Sequence, residues 1–187
     1  MNNKPEVLEF RHVKNSDPYN KNRYGHWSRY WEYPLLNKLL HTYVPKGGRI
    51  HNSSWGFEAP NHTDFKEDLE SYYGADNIIN SDIRSSSYPN TTVYDVTQAP
   101  KLEWINFFDA VINVSSLEEI PFDHLKCFQN LYQQVKPGGY LIITFDIPGF
   151  QLTEIEEYLG ATMQRHEDAI TGMGLTVGLL VCQKQTA

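Results

Sequence analysis

Apolar residues along this chain fall into short blocks and helical stripes that alternate from about Trp31 to Cys182. The clearest run is Phe107 to Asp146. After Phe108-Asp109, the block Ala110-Val111-Ile112 is short, partly β-branched and closed by polar Asn113, as in a strand buried on both faces. A polar turn from Ser115 to Asp123 follows. Leu125, Phe128, Leu131, Tyr132 and Val135 then recur at spacings of three and four, one face of a helix. Lys136-Pro137-Gly138-Gly139 is expected to stop that helix. Tyr140 to Phe145 reads as a second buried strand. Strand, helix and strand in this order predict a parallel pair joined by a right-handed crossover.

The flanking pattern extends the alternation. Met1 to Arg23 has little period and predicts an irregular arm; with the aromatic residues up to Tyr30 it forms an aromatic-rich segment over 1–30. Trp31, Leu35, Leu36, Leu39 and Leu40 predict a helix, with Pro34 near its start. Arg49 to Asn52 predicts a short strand, Thr63 to Tyr73 a helix, Asn77 to Asp82 a strand, and Thr91 to Asp95 another. Val96 to Asn106 reads as a loop or short helix. Leu152 to Leu159 predicts a two-turn helix. Met163 to His166 and Leu175 to Cys182, separated by Thr171-Gly172-Met173-Gly174, predict a closing hairpin. Alternating strands and helices imply a three-layer, doubly wound α/β sheet in a single domain over 1–187.

Composition narrows the function classes. The chain has 187 residues and a formal net charge of −7, which argues against a nucleic-acid-binding surface. Cys127 and Cys182 fall in a helix and a strand pattern, with no CxxC, and read as buried thiols. No apolar run reaches membrane-span length, and the first residues carry no signal-peptide pattern, so a cytoplasmic setting is expected. No HxH or HExxH spacing points to a metal. Tyr19, Tyr24, Trp27, Tyr30, Trp31 and Tyr33 crowd one stretch, either packing on the core or stacking on a ligand.

Phe108-Asp109-Ala110-Val111, Leu117-Glu118-Glu119-Ile120 and Lys136-Pro137-Gly138-Gly139 together resemble the class I S-adenosylmethionine (SAM)-dependent methyltransferases. The likeness covers roughly Trp31 to Cys182. It implies a Rossmann-like, mostly parallel seven-stranded sheet whose last strand is antiparallel, with SAM at the carboxyl ends of the first four strands. It also implies SAM contacts from Asn52, Ser53, Ser54, Gly56 and Glu58 in the first loop, from Asp82 on the ribose, from Asp95 and Val96 at the adenine, and from Asn113 after the fourth strand. The first loop departs from the family's glycine-rich pattern: His51-Asn52-Ser53-Ser54-Trp55-Gly56-Phe57-Glu58 holds one glycine and a tryptophan.

Methyl transfer to a hydroxyl calls for a base. His124, Glu119 and Asp146 are the leading candidates, with Glu118, His62 and His26 behind them. The expected activity is O-methylation of a small molecule or glycan. The rival from another class is a methyltransferase-like binding or assembly module without catalysis. A nucleotide-dependent oxidoreductase fares worse, since no GxGxxG follows the first strand.

Overall fold

The computed structural model describes residues 4–25, 28–55, 60–86 and 91–186, and only the backbone of 60–62. Its elements are β1 (Glu6–His12), α1 (Arg29–Tyr43), β2 (Ile50–Ser53), α2 (Pro60–Tyr73), β3 (Ile78–Asp82), β4 (Thr91–Val93), β5 (Phe108–Val114), α3 (His124–Gln134), β6 (Val135–Ile147), α4 (Leu152–Leu159), β7 (Thr171–Gly172) and β8 (Leu175–Gln183). The strands form one sheet in the order β1-β8-β6-β5-β2-β3-β4, with β7 also on β8. Strands β2 to β6 are mutually parallel, while β8 is antiparallel to both β6 and β1.

Alternation along β5 and β6 divides the core between two faces. Val111, Leu141, Ile143 and Phe145 pack with α3 and α4, against Phe128, Leu131, Ile155 and Leu159. Ala110, Ile112 and Ile142 pack with α1 and α2, against Leu36, Leu40, Phe65 and Leu69. The central strands are buried on both faces and so read as continuous apolar runs.

Two expectations fail at the sheet's far edge. The N-terminal segment is not irregular: Glu6–His12 is an edge strand on β8. A register shift between Val7 and Glu9 breaks its side-chain alternation, and an edge strand needs few apolar residues, so no strand pattern is visible. Among 6–12 only Phe10 is fully buried. Arg11, held by Glu9 and Asp17 at 2.8 and 2.7 Å, ties the strand to the following turn. The closing antiparallel hairpin forms, but its first arm is Thr171–Gly172 rather than Met163–His166. Strand β8 spends its length on β6 and β1, and Gln164 instead bridges Arg11 beside β1. The turn at Met173-Gly174 is real but joins only the two-residue β7 to β8.

Lys136-Pro137-Gly138-Gly139 does not lie between helix and strand. It is a bulge within β6: Phe108 pairs Val135, and the next match is Ala110 with Tyr140. Lys136 forms an ion pair with Asp109, whose Oδ2 also accepts from the Arg49 amide at 2.9 Å. A Cβ on Gly139 would lie 2.7 Å from the Asp109 carbonyl oxygen. Backbone cannot yield there as a side chain could. Gly139→Ala is therefore expected to cost about 1–3 kcal/mol in urea unfolding, with no loss of the fold.

Pro34 sits inside α1 rather than at its first turn. Having no amide hydrogen, it leaves the Tyr30 carbonyl free within the helix. The Asn20 amide donates to that carbonyl at 2.8 Å, which fastens the N-terminal segment to α1.

Candidate functional site at the carboxyl edge of the sheet

The parallel register gathers one set of strand ends. Ser53 lies beside Ser81 and Asn113, Asp82 beside Val93, and Val114 beside Thr144. The chain runs outward from β2 to β3 and β4, then returns to the other side of β2 with β5. The order therefore reverses between β2 and β5, the position where open α/β sheets hold their ligands.

The loop after β2 turns sharply, with Ser54 at a φ of 53°. Asn52 and Ser53 are buried, and the Asn52 amide donates to Asn80 Oδ1 at 3.0 Å. Asn52 Oδ1, Ser53 Oγ and Asn80 Nδ2 are buried without hydrogen-bond partners. Trp55 is only 4% exposed. It lines, with Tyr33, Asn52, Ser54, Phe65 and Val114, a cavity of about 10 Å³ that fits roughly one water. Gly56 and Glu58 lie outside the described residues.

Across the switch point, Asn113 is fully buried. Its amide donates to the Ser53 carbonyl at 3.3 Å and its Oδ1 accepts from Ser116 Oγ at 2.8 Å. Asn113 thus clamps β5 to the end of β2. Asp82 closes β3 and accepts from the Arg84 amide at 3.0 Å. Asp95 folds into an Asx turn with Thr97, accepting from its amide at 2.9 Å and its hydroxyl at 2.8 Å. Val96 is buried, and its carbonyl is held by Asn130 of α3 at 2.9 Å. Asp82, Asp95 and Val96 all stand on the same edge as Asn52 and Asn113.

The ends of β5 and β6 carry a charged group that sequence reasoning missed. Glu32 of α1 has no exposed surface. Its Oε1 accepts from Ser115 Oγ at 2.5 Å and Thr144 Oγ1 at 2.6 Å, and its other oxygen pairs with Arg29. Burial would raise this carboxyl, but Arg29 and the two hydroxyls outweigh it and hold it below the ordinary range. An Arg and a Glu three apart look like any solvent-facing helical pair. Only the place of Glu32 on α1, between Trp31 and Leu35, hints at burial.

Beside them, Glu118 lies in the 3-10 turn Leu117–Glu119 and accepts from the Asp146 amide at 2.9 Å. Burial pushes Glu118 up to about 8. Burial, with the neighbouring Glu32 charge, pushes Asp146 up to about 6. Glu119 is exposed in the same turn. His124 is 1% exposed and both its ring nitrogens are engaged. Nε2–H donates to the Ile120 carbonyl at 2.7 Å, and Nδ1 accepts from the Gln151 amide at 2.9 Å. The ring, stacked on Phe150, pins the loop after β6 to the turn after β5. His26 and the His62 side chain lie outside the described residues.

A second histidine is buried beneath the edge. His51 Nδ1–H donates to Gln134 Oε1 at 2.6 Å, and Nε2 accepts from Ser81 Oγ at 2.7 Å. Trp104 and Phe108 pack around it. Burial holds the ring neutral, pushed down to about 4. Cys127 and Cys182 are free and buried. Among the described residues, no helix is long and apolar enough to cross a membrane, and no group of three His, Cys, Asp or Glu is placed to hold a metal.

No family model and no curated protein matches the chain in sequence. Solved structures do match its shape. CalH, a trans-methyltransferase in complex with SAH, superposes with a TM-score of 0.58 at 16% identity, over 84% of this chain and 57% of that one. A SAM-dependent methyltransferase from Aquifex aeolicus gives 0.53 at 14%, over 79% and 88%. The [4+2]-cyclase SpnF gives 0.55 at 11%, over 96% and 88%. This chain has the class I methyltransferase fold. In this chain the edge position beside β8 is taken by the N-terminal strand β1.

Proposed function

We propose that this protein transfers a methyl group from SAM to a hydroxyl of a small molecule or glycan. The observation that carries the reading is the switch point itself. There Asn52, Ser53 and Asn113 set buried polar atoms between β2 and β5, with Asp82 at the end of the next strand. The donor set fits SAM. The Asp82 carboxylate can accept both hydroxyls of a ribose. Val96 offers an apolar wall and Asp95 an acceptor for an adenine. Asn52, Ser53 and Ser54 face the amino-acid end, with Gly56 and Glu58 continuing that loop in sequence. When bound, SAM supplies a methyl group made electrophilic by its sulfonium.

The acceptor side is the first turn of α1 and the loop after β6. Glu32 holds that turn over Ser115 and Thr144. One residue earlier, Trp31 packs with Tyr19 and Tyr30 at ring distances of 4.5 and 6.3 Å, and Tyr19 is half exposed. Such rings stack on a sugar or a planar acceptor. Residues Ile147 to Glu154 line a cavity of about 480 Å³, within the range of small-ligand sites. The net charge of −7 disfavours a polyanionic acceptor.

The test is transfer of labelled methyl from SAM to a panel of glycosides and phenols. Asp82→Ala is expected to weaken SAM binding by roughly ten- to a hundredfold, the worth of about one hydrogen bond to a charged group. Unchanged affinity would remove Asp82 from the ribose site.

A second reading is favoured by Trp55. Buried as it is, it leaves only a water-sized space in the first loop. A binding or assembly module built on this fold would neither bind SAM nor transfer methyl.

A further inference from the structure

The residue left to explain is Glu118. Its Oε1 is fixed by the Asp146 amide at 2.9 Å, but its Oε2 is buried with no partner. Two more buried polar atoms in electrostatic reach also lack partners, Asp146 Oδ1 and Arg29 Nε. They come from three separate elements, the turn after β5, the end of β6 and the start of α1. A purely structural carboxylate would satisfy both its oxygens, as Glu32 does. Unfilled hydrogen-bonding capacity converging from three elements marks a place for a polar group of a ligand.

The neighbouring backbone packs against Glu118 from the cavity after β6. Gly149 lines the 480 Å³ cavity after β6, and a Cβ there would sit 2.9 Å from the Glu118 Cβ. Glycine lets the cavity wall close directly onto Glu118.

We propose that Glu118 is the catalytic base, its Oε2 taking the proton from the acceptor hydroxyl. The inference rests on the methyltransferase reading above and names the group that completes it. The acceptor O–H bond breaks toward Glu118 Oε2 as the oxygen bonds to the methyl carbon. The methyl–sulfur bond breaks with its electron pair left on sulfur, giving a neutral thioether. Glu118 ends as the neutral acid and returns the proton to solvent. Asp146 and Glu32 face it with like charge and Arg29 with opposite charge, and Glu119, exposed in the same turn, adds its charge at Asp146. A carboxyl with its affinity for protons raised toward the working pH is a stronger base than an exposed one.

The test needs no known acceptor. Protein labelled with carbon-13 at the glutamate carboxyl is titrated by NMR, alone, with SAM and with S-adenosylhomocysteine. One glutamate, absent in Glu118→Gln, is expected to titrate near 8 in the free protein. The SAM sulfonium beside it should lower that midpoint by about one unit or more relative to the neutral homocysteine analogue. A midpoint in the ordinary carboxylate range, or equal midpoints with both ligands bound, overturns the assignment, since a structural Glu118 would not sense the sulfonium. Failure of either ligand to bind overturns the cofactor reading and the catalytic role with it.

Discussion

Replacing Glu32 by alanine is expected to cost about 3–5 kcal/mol, because it strands a buried partner charge. For a chain of this size that is a fall in unfolding temperature of roughly 6–20 °C. Arg29 would lose its counter-ion, and Ser115 Oγ and Thr144 Oγ1 would lose their shared acceptor. Glu32→Gln keeps an acceptor oxygen but not the charge and should fall between. The pH dependence follows from the depressed carboxyl. Its stabilisation is fully present above the unfolded carboxyl range and disappears as pH drops through the lower folded value. Thermal unfolding by circular dichroism reads both effects. A loss below about 1 kcal/mol for the alanine variant would mean that water replaces the carboxylate.

The second large effect concerns His51. Its folded-state value of about 4 lies below the ordinary imidazole value near 6.5. Between those values the unfolded chain takes up a proton that the folded chain refuses, so stability falls as pH drops through that window. The full difference is worth about 3 kcal/mol. Glu118 and Asp146 act in the opposite sense, because their raised carboxyls favour the folded state when protonated and lose that advantage as pH rises. The informative quantity is therefore the stability gap between wild type and His51→Gln, measured by urea unfolding at neutral pH and near pH 4. Glutamine cannot titrate, so the wild-type advantage should shrink by about 3 kcal/mol on acidification. A constant gap would show that the ring is already charged or hydrated in the fold.

What could be read from the sequence follows burial on two faces. The block Phe108–Val114, the stripe of α3 and the run Tyr140–Phe145 announce themselves because both faces of the central strands are apolar. Strand β1 does not, because one edge is wet and its alternation is broken by a bulge. The partners of β8 are hidden for a related reason: Met163–His166 is near it in sequence, but β1 and β6 take both of its edges. At the site, Asp82, Asp95 and Asn113 could be placed because strand ends are legible. Glu32 and Arg29 could not, since their meaning depends on a contact 83 residues away in the chain, between Glu32 and Ser115. His124 showed the converse. A histidine after a strand-end loop looks available for chemistry, yet the fold spends both its nitrogens on neighbouring backbone.

The first loop holds the decisive question, because Trp55 stands beside the polar atoms of Asn52 and Ser53. Isothermal titration of the purified chain with SAM answers it directly. Saturable binding in the micromolar range, matched by S-adenosylhomocysteine and weakened in Asp82→Ala, is the expected result. A folded protein that takes up neither ligand at millimolar concentration would contradict the methyltransferase reading and leave the binding-module alternative standing.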